Sequence, residues 1–391
     1  MYLCDVKLWN KYIIALIVTS LSAFSAIAQE LDFLNLKANR ITMNGADWRG
    51  LKRALPQRGE KRPIKFSVVQ IGDSHIQPGI MTAQVRAKLQ RRYGNGGRGL
   101  IAPLALAGTN EPNNYLFRST SHVTAKSRLM SRSWPVTNGL TGVSVRFGGS
   151  STSLTIRDKS NQPFTSVTIM HAAGGGYDHA VIAGDTITAT EVSQWASQFA
   201  MPRATAEVTL TALPCPTPFF GALLLNDKPG VVVTDIGNNG ATYSLYNKVD
   251  DFGTQMQVLR PNLVILSMGT NEAAGNVDVL EPTMDRLIKN IRSANPNVIF
   301  LLTTPMEFQK GSGRGYVVNS NAHRARDIIM EYGRKHKIAV WDMFTVCGGD
   351  GCSSLWISNG LMNSRDHLHL LNAGYELQGM MLGDALLAAL R

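Results

Sequence analysis

The sequence predicts an α/β fold: a three-layer structure around a parallel sheet, with a jelly-roll-like β-sandwich module inserted into it. Three observations carry this. Buried-strand and helix patterns alternate around residues 66–93 and again from 231 to the C-terminus. Between about Tyr115 and Asn226 the pattern changes to short segments of period two. Turn residues separate those segments, as at Asp158 to Pro163 and Gly174-Gly175-Gly176, and no helical pattern interrupts them. With 391 residues the chain suits one large domain or two ordinary ones and buries a core without staples. Its 44% hydrophobic and 17% charged residues exclude disorder, collagen and coiled coil.

The first element is a targeting segment. Lys7 and Lys11 precede an apolar run from Tyr12 to Phe24, and Ala26-Ile27-Ala28 follows as a small-residue cleavage site. This predicts a signal peptide over 1–28 with Gln29 as the first mature residue; the competing reading is a short membrane anchor. Cys4 lies ahead of the apolar run, so it does not serve as a lipoprotein cysteine. The expected localisation is periplasmic or secreted, with no membrane span after cleavage, because no later apolar stretch reaches the ~18 residues a span needs. Cys215, Cys347 and Cys352 remain, and outside the cytoplasm a disulfide is allowed. Cys347 and Cys352 either close a small loop or stay free thiols. The net charge of +11, gathered at Arg49 to Lys65 and Arg86 to Arg98, would suggest nucleic acid in a cytosolic protein. In an exported one it points to anionic envelope polymers or lipid head groups, and no nucleic acid is expected.

Phe66 to Ile71 reads as a buried strand ending in Gly72-Asp73-Ser74-His75, and Met81 to Tyr93 as an amphipathic helix. Gly94-Asn95-Gly96-Gly97-Arg98-Gly99 matches the dinucleotide pattern in letters only. That pattern needs a strand before it and a helix opening within it, whereas here a helix precedes and an apolar run follows. The period-two strands include 143–147, 153–157, 166–170 and 205–211. Then come strands at 231–233, 263–268, 298–302 and 338–341, with helices at 278–292, 321–336 and 373–390. The expected organisation is an N-terminal segment and first part of the α/β domain over 29–114, the β-module over 115–228, and the remainder over 229–391.

Four short motifs sit at strand ends or in the loop before the last helix, where a parallel sheet builds its sites. They are Gly72-Asp73-Ser74-His75, the run Asp235 to Tyr243 with Gly240, Met268-Gly269-Thr270-Asn271-Glu272, and Asp366-His367-Leu368-His369. Each alone reads equally as a cap or turn. Together and in this order they resemble the SGNH (GDSL-like) hydrolase superfamily, whose blocks contribute Ser, Gly, Asn and His. The resemblance covers about 65–108 and 229–391. It implies Ser74, Asp366 and His369 as catalytic residues, with Ser74, Gly240 and Asn271 forming the oxyanion hole. His369 is preferred to His367 because the family spacing places two residues between Asp and His.

His75, where the usual block has Leu, is similar to the branch of peptidoglycan O-acetylesterases and related envelope acetyl-transfer proteins. The run from Gly230 to Tyr243 and Gly348-Gly349-Asp350-Gly351 also look like that branch, whose members carry a carbohydrate-binding-like β-sandwich at the place of the insertion. The implied function is an exported serine esterase that removes O-acetyl groups from a cell-envelope polysaccharide, peptidoglycan being the favoured polymer, without cofactors. The partner is then an acetylated cell-wall glycan. A polysaccharide O-acetyltransferase of the same fold and a non-catalytic polysaccharide-binding protein are the alternatives. A serine needs a base to become a nucleophile. His369 supplies it, Asp366 orients the ring, and fixed donors hold the developing oxyanion. There is no G-x-S-x-G elbow. The 8 His are scattered without H-E-x-x-H or C-x-x-C, so no metal site is expected.

Overall fold

A computed structural model describes residues 31–391 except 58, 161, 215 and 216. Residues 1–28, read from the sequence as a signal peptide, and Cys4 and Cys215 lie outside the described residues.

The central sheet has six strands: β1 (Ile41–Thr42), β2 (Lys65–Gly72), β3 (Gly230–Gly237), β4 (Leu263–Ser267), β5 (Ile299–Thr303) and β6 (Ala339–Trp341). Their order is β1-β6-β5-β4-β2-β3, parallel throughout except for β1 on β6. The strands alternate side chains between two faces, so odd and even positions enter different cores. Phe66, Val68, Leu263, Ile265 and Leu301 face α1 (Ile80–Tyr93) and the C-terminal helix, residues Asn372–Ala389. Val69, Ile71, Val264, Leu266 and Phe300 face α2 (Leu280–Ala294) and α3 (Asn321–His336). We call the C-terminal helix α4. Most of its residues between Gly374 and Leu386 are buried. Gly379 lets it close on α1, where an added Cβ would stand 2.3 Å from the Met81 carbonyl.

The segment between α1 and β3 contains no helix among the described residues and folds into two antiparallel sheets. One has five strands, in the order 185–188, 179–182, 207–214, 151–158 and 115–119. The other has seven, built around 164–171 and 219–225. Phe117, Val145, Leu154, Ile156, Ile169, Phe199, Leu210 and Phe219 fill the space between them, the packing of a β-sandwich. Strand 97–101, ahead of residue 115 in the chain, pairs with 219–225 and ties this layer to the central sheet. It also touches β3, where Leu100 donates its N–H to the Thr234 hydroxyl at 3.1 Å. Nearby, Arg86 and Arg98 share the Asp235 carboxylate at 2.6 and 3.1 Å, and Arg98 reaches Asn114. Burial, then the second guanidinium, lowers the Arg86 pKa to about 10.

The β-module is the source of the pattern change in the sequence. The parallel sheet is the source of the alternation on either side. Cys347 and Cys352 are both buried and unbridged.

Candidate active site

The site grows from the register of three neighbouring strands. Gly72 of β2 pairs with Gly237 of β3 on one side and Ser267 of β4 on the other. The three strands therefore end level, and the segments that follow them converge. The chain leaves β2, returns at β3 on one side, and then crosses to β4 on the other. This reversal opens a crevice at the C-terminal edge. Asp73-Ser74 thus emerges between Asn238-Asn239-Gly240 and Gly269-Thr270-Asn271. Gly72 is required for close approach: a Cβ there would lie 2.7 Å from the Ser267 carbonyl oxygen.

Ser74 does not open α1 directly. Ile76 and Gln77 both donate their N–H to the Asp73 carbonyl, which closes an isolated helical turn, and His75 N–H is capped by the Asp73 carboxylate at 2.9 Å. Pro78 and the left-handed Gly79 (φ 70°) end that turn before α1 begins at Ile80. Ser74 therefore stands at the start of its own turn with its N–H free of any acceptor among the described residues.

Ser74 Oγ lies 2.9 Å from His369 Nε2, and His369 Nδ1 lies 2.9 Å from Asp366 Oδ2. Asp366 Oδ1 accepts the backbone N–H groups of Leu368 and His369, each at 3.0 Å. Burial acts to raise the Asp366 pKa, but the His369 ring and these two N–H groups outweigh it and hold the carboxyl below its usual range. An ionised Asp366 fixes the proton on Nδ1 and leaves Nε2 to accept from the Ser74 hydroxyl. His367 points elsewhere. It has φ 55°, stacks on Tyr316 with ring centroids 3.7 Å apart, and contacts Gln309 Oε1 at 2.6 Å. Of the two histidines, His369 is the one that reaches Ser74.

Gly240 sits at φ 71°, and its N–H also has no acceptor among the described residues. Asn271 Nδ2 donates to the Ala241 carbonyl at 2.9 Å and approaches Asp73 Oδ2 at 3.4 Å. Glu272 Oε1 accepts from Tyr243 N–H at 2.8 Å. The Asn271 and Gly240 segments are thereby cross-braced by two bonds, so both donors are fixed in advance. Burial pushes Asp73 and Glu272 each up to about 7. Packing around His75, and then the nearby His369, push its imidazole down to about 3, so it stays neutral beside the Tyr375 hydroxyl, 3.2 Å away.

The open cleft over these groups, about 520 Å³, is lined by Ser74, His369, Gly240, Asn271, Tyr375 and Asn110, among others. Asn239, beside Gly240 in its motif, and two residues that no motif contains, Gln77 and Asn110, organise its wall. Gln77, fully buried, accepts from Asn239 N–H at 2.6 Å and donates to the Asn110 carbonyl at 2.9 Å. Asn239 Nδ2 donates to Asn110 Oδ1 at 2.7 Å. Isolated amides in loops carry no periodic signal, so sequence reading passes over them.

Elsewhere, Glu307, His323 and Asp350 bring potential metal-ligating atoms within 4.8 Å of one another. They are already satisfied: Glu307 accepts from Gly351 N–H and from the N–H and hydroxyl of Ser353, and His323 pairs with Asp350 at 2.6 Å.

Comparison with known proteins bears on the family and the fold. The family model described as GDSL-like lipase/acylhydrolase matches residues 170–377, a span that includes Gly240, Asn271, Asp366 and His369 but not Ser74. No curated protein matches the chain. Among solved structures, a peptidoglycan O-acetylesterase aligns with TM-score 0.73 and 21% identity, over 92% of this chain and 98% of that one. A lipase/acylhydrolase from Enterococcus faecalis aligns with TM-score 0.31 and 20% identity, over 41% and 77% of the two chains. An acetyl xylan esterase aligns with TM-score 0.30 and 18% identity, over 42% and 82%. The chain belongs to the GDSL-like lipase/acylhydrolase family and is an SGNH-type esterase.

Proposed function

We propose that this esterase is exported and removes O-acetyl groups from a cell-envelope polysaccharide, with peptidoglycan as its polymer. The observation that carries the reading is the Ser74–His369–Asp366 relay, set beside two free backbone N–H groups in an open cleft. The cleft suits a small acyl group on a bulky alcohol. The structural likeness, β-module included, to a peptidoglycan O-acetylesterase supports the choice of polymer.

In this reading Ser74 Oγ attacks the acetyl carbonyl carbon while His369 Nε2 takes the hydroxyl proton. The carbonyl oxygen becomes an oxyanion held by the Ser74 and Gly240 N–H groups and the Asn271 amide. The C–O bond to the sugar breaks, His369 returns the proton to the leaving sugar oxygen, and acetyl-Ser74 remains. Water, deprotonated by His369, then attacks the acetyl-enzyme, and acetate departs as Ser74 regains its proton.

The test is acetate release by the mature protein from O-acetylated peptidoglycan, acetylated xylan and a small aryl acetate. Preference for peptidoglycan is expected, at a rate unaffected by unacetylated glycan. Label appearing on added glycan at the expense of free acetate would identify a transferase instead. The expected export is checked by the mass of the protein's N-terminus recovered from the cell envelope, which should begin at Gln29.

Asn271→Ala is expected to lower kcat by about 10²–10³ with KM little changed, because its amide would act on the transition state rather than the bound ester. A loss confined to KM would make Asn271 a substrate-binding residue.

A further inference from the structure

A narrow cavity of about 20 Å³ lies behind the ester cleft, between the ends of β4 and β5 and the helices α1 and α4. Its wall takes a chain neighbour from each part of the reacting centre. Asp73 and His75 flank Ser74, Thr270 precedes Asn271, and Leu368 precedes His369. Among the described residues, Leu368 alone lines both this cavity and the open cleft. The cavity therefore begins directly behind the reacting atoms, with the Leu368 side chain as the partition.

The two side chains nearest the reacting histidine are held differently. The Tyr375 hydroxyl ties His75 through Nδ1 at 3.2 Å, and the His75 ring sits 5.5 Å from the His369 ring between centroids. Leu368 is fixed through its backbone, whose N–H donates to Asp366 Oδ1 at 3.0 Å. Its half-buried side chain packs against the core that contains Met268 and Phe308. Behind it stand Met81, Met306 and Met343. Methionine is unbranched and repacks readily, so this lining adapts to an apolar guest.

The reaction at Ser74 decides which end of an ester meets this partition. On the tetrahedral carbon one bond goes to Ser74 Oγ, and the oxyanion faces Gly240 and Asn271. The leaving oxygen needs His369 Nε2 within reach and its bulky alcohol in the open cleft. The acyl carbon takes the direction that remains, away from the alcohol and toward the cleft floor. The cavity holds about one water-sized group. A methyl group can rest against Leu368, whereas a longer chain needs the space that Leu368 fills.

We propose that Leu368 limits the acyl group to acetyl by closing the cleft floor over the methionine-lined cavity. The inference rests on the proposed acyl-enzyme at Ser74 and adds a specificity-determining residue for the acyl half of the substrate. Truncating Leu368 joins cavity to cleft and gives a longer chain an apolar site.

The experiment compares kcat/KM for aryl acetate, propionate, butyrate and hexanoate in the full mature protein and in Leu368→Ala, Leu368→Val and Leu368→Met. In the wild type the value is expected to fall at least about tenfold from acetate to butyrate. Leu368→Ala should raise the butyrate-to-acetate ratio at least about tenfold, with a smaller rise in Leu368→Val. Leu368→Met, of similar volume, should keep the wild-type order. A ratio within one protein cancels any loss common to all esters, such as a displaced His369. Thermal melts identify folded variants, and Leu368→Val carries the comparison if Leu368→Ala does not fold. An unchanged ratio in a folded, truncated variant overturns the role of Leu368. Equal values for acetate and butyrate in the wild type overturn the limit itself while leaving the Ser74 reading intact. Failure of the wild type on every aryl ester would instead overturn the acyl-enzyme reading beneath it.

Discussion

Ser74→Ala is expected to lower kcat on a small aryl acetate by at least about 10⁴, with the melting temperature nearly unchanged. The Ser74 hydroxyl has a single side-chain partner, His369 Nε2, and is not part of the packed core. Its removal therefore costs little stability, within about 1 kcal/mol. It does remove the atom that would form the acyl-enzyme. The N–H groups of Ser74 and Gly240 and the Asn271 amide stay in place in the variant, so substrate binding should persist while turnover stops. A small aryl acetate is the right probe because it needs only the reacting centre. Activity above a tenth of wild type in a folded protein would exclude Ser74 as the nucleophile.

His369→Ala should be about as damaging as Ser74→Ala, since members of such a relay act as a unit. His367→Ala should be much milder, though the two histidines are two positions apart. The difference lies in where they point. His369 bridges Ser74 and Asp366 at 2.9 Å on each side. His367 is stacked on Tyr316 and bonded to Gln309, in the hairpin formed by 309–312 and 315–318. Removing it loosens that hairpin, at a cost of about 1 kcal/mol, and leaves the relay untouched. Steady-state kinetics and thermal melts on the two variants separate these outcomes. Loss of turnover in His367→Ala with little effect in His369→Ala would reassign the base.

Much of this protein is legible in the local pattern of its sequence. Period-two and period-3.6 repeats depend on near neighbours in the chain. They place the helix at 321–336 with its observed limits and the helix at 81–93 within one residue of them. The long alternating stretch marks the β-module, because a sheet wet on one face imposes that pattern whatever it packs against. The motifs are legible for a related reason. A parallel sheet presents the ends of its strands at one edge, so Ser74, Gly240 and Asn271 fall together once each follows a strand. The spacing of Asp366 and His369 lets one tight turn join them.

By itself, then, the sequence determined the order and type of the main strands and helices of the sheet, the α/β class with its inserted sandwich, and the candidate residues at the sheet edge. It did not determine what the module touches. Residues 94–99 read as a Gly-rich connecting loop, but 97–101 is a strand, and its pairing with 219–225 binds the module to the central sheet. Gln77 and Asn110 belong to no motif, and only packing brings them with Asn239 into one amide network beside Gly240. Met130 belongs to no motif either, and only the packing of the module sets it against Gly240. The physical reason is common to all of them. Periodicity and spacing report the backbone's local geometry, whereas a contact between positions far apart in the chain exists only when two layers close on each other, and it leaves no repeat in either segment.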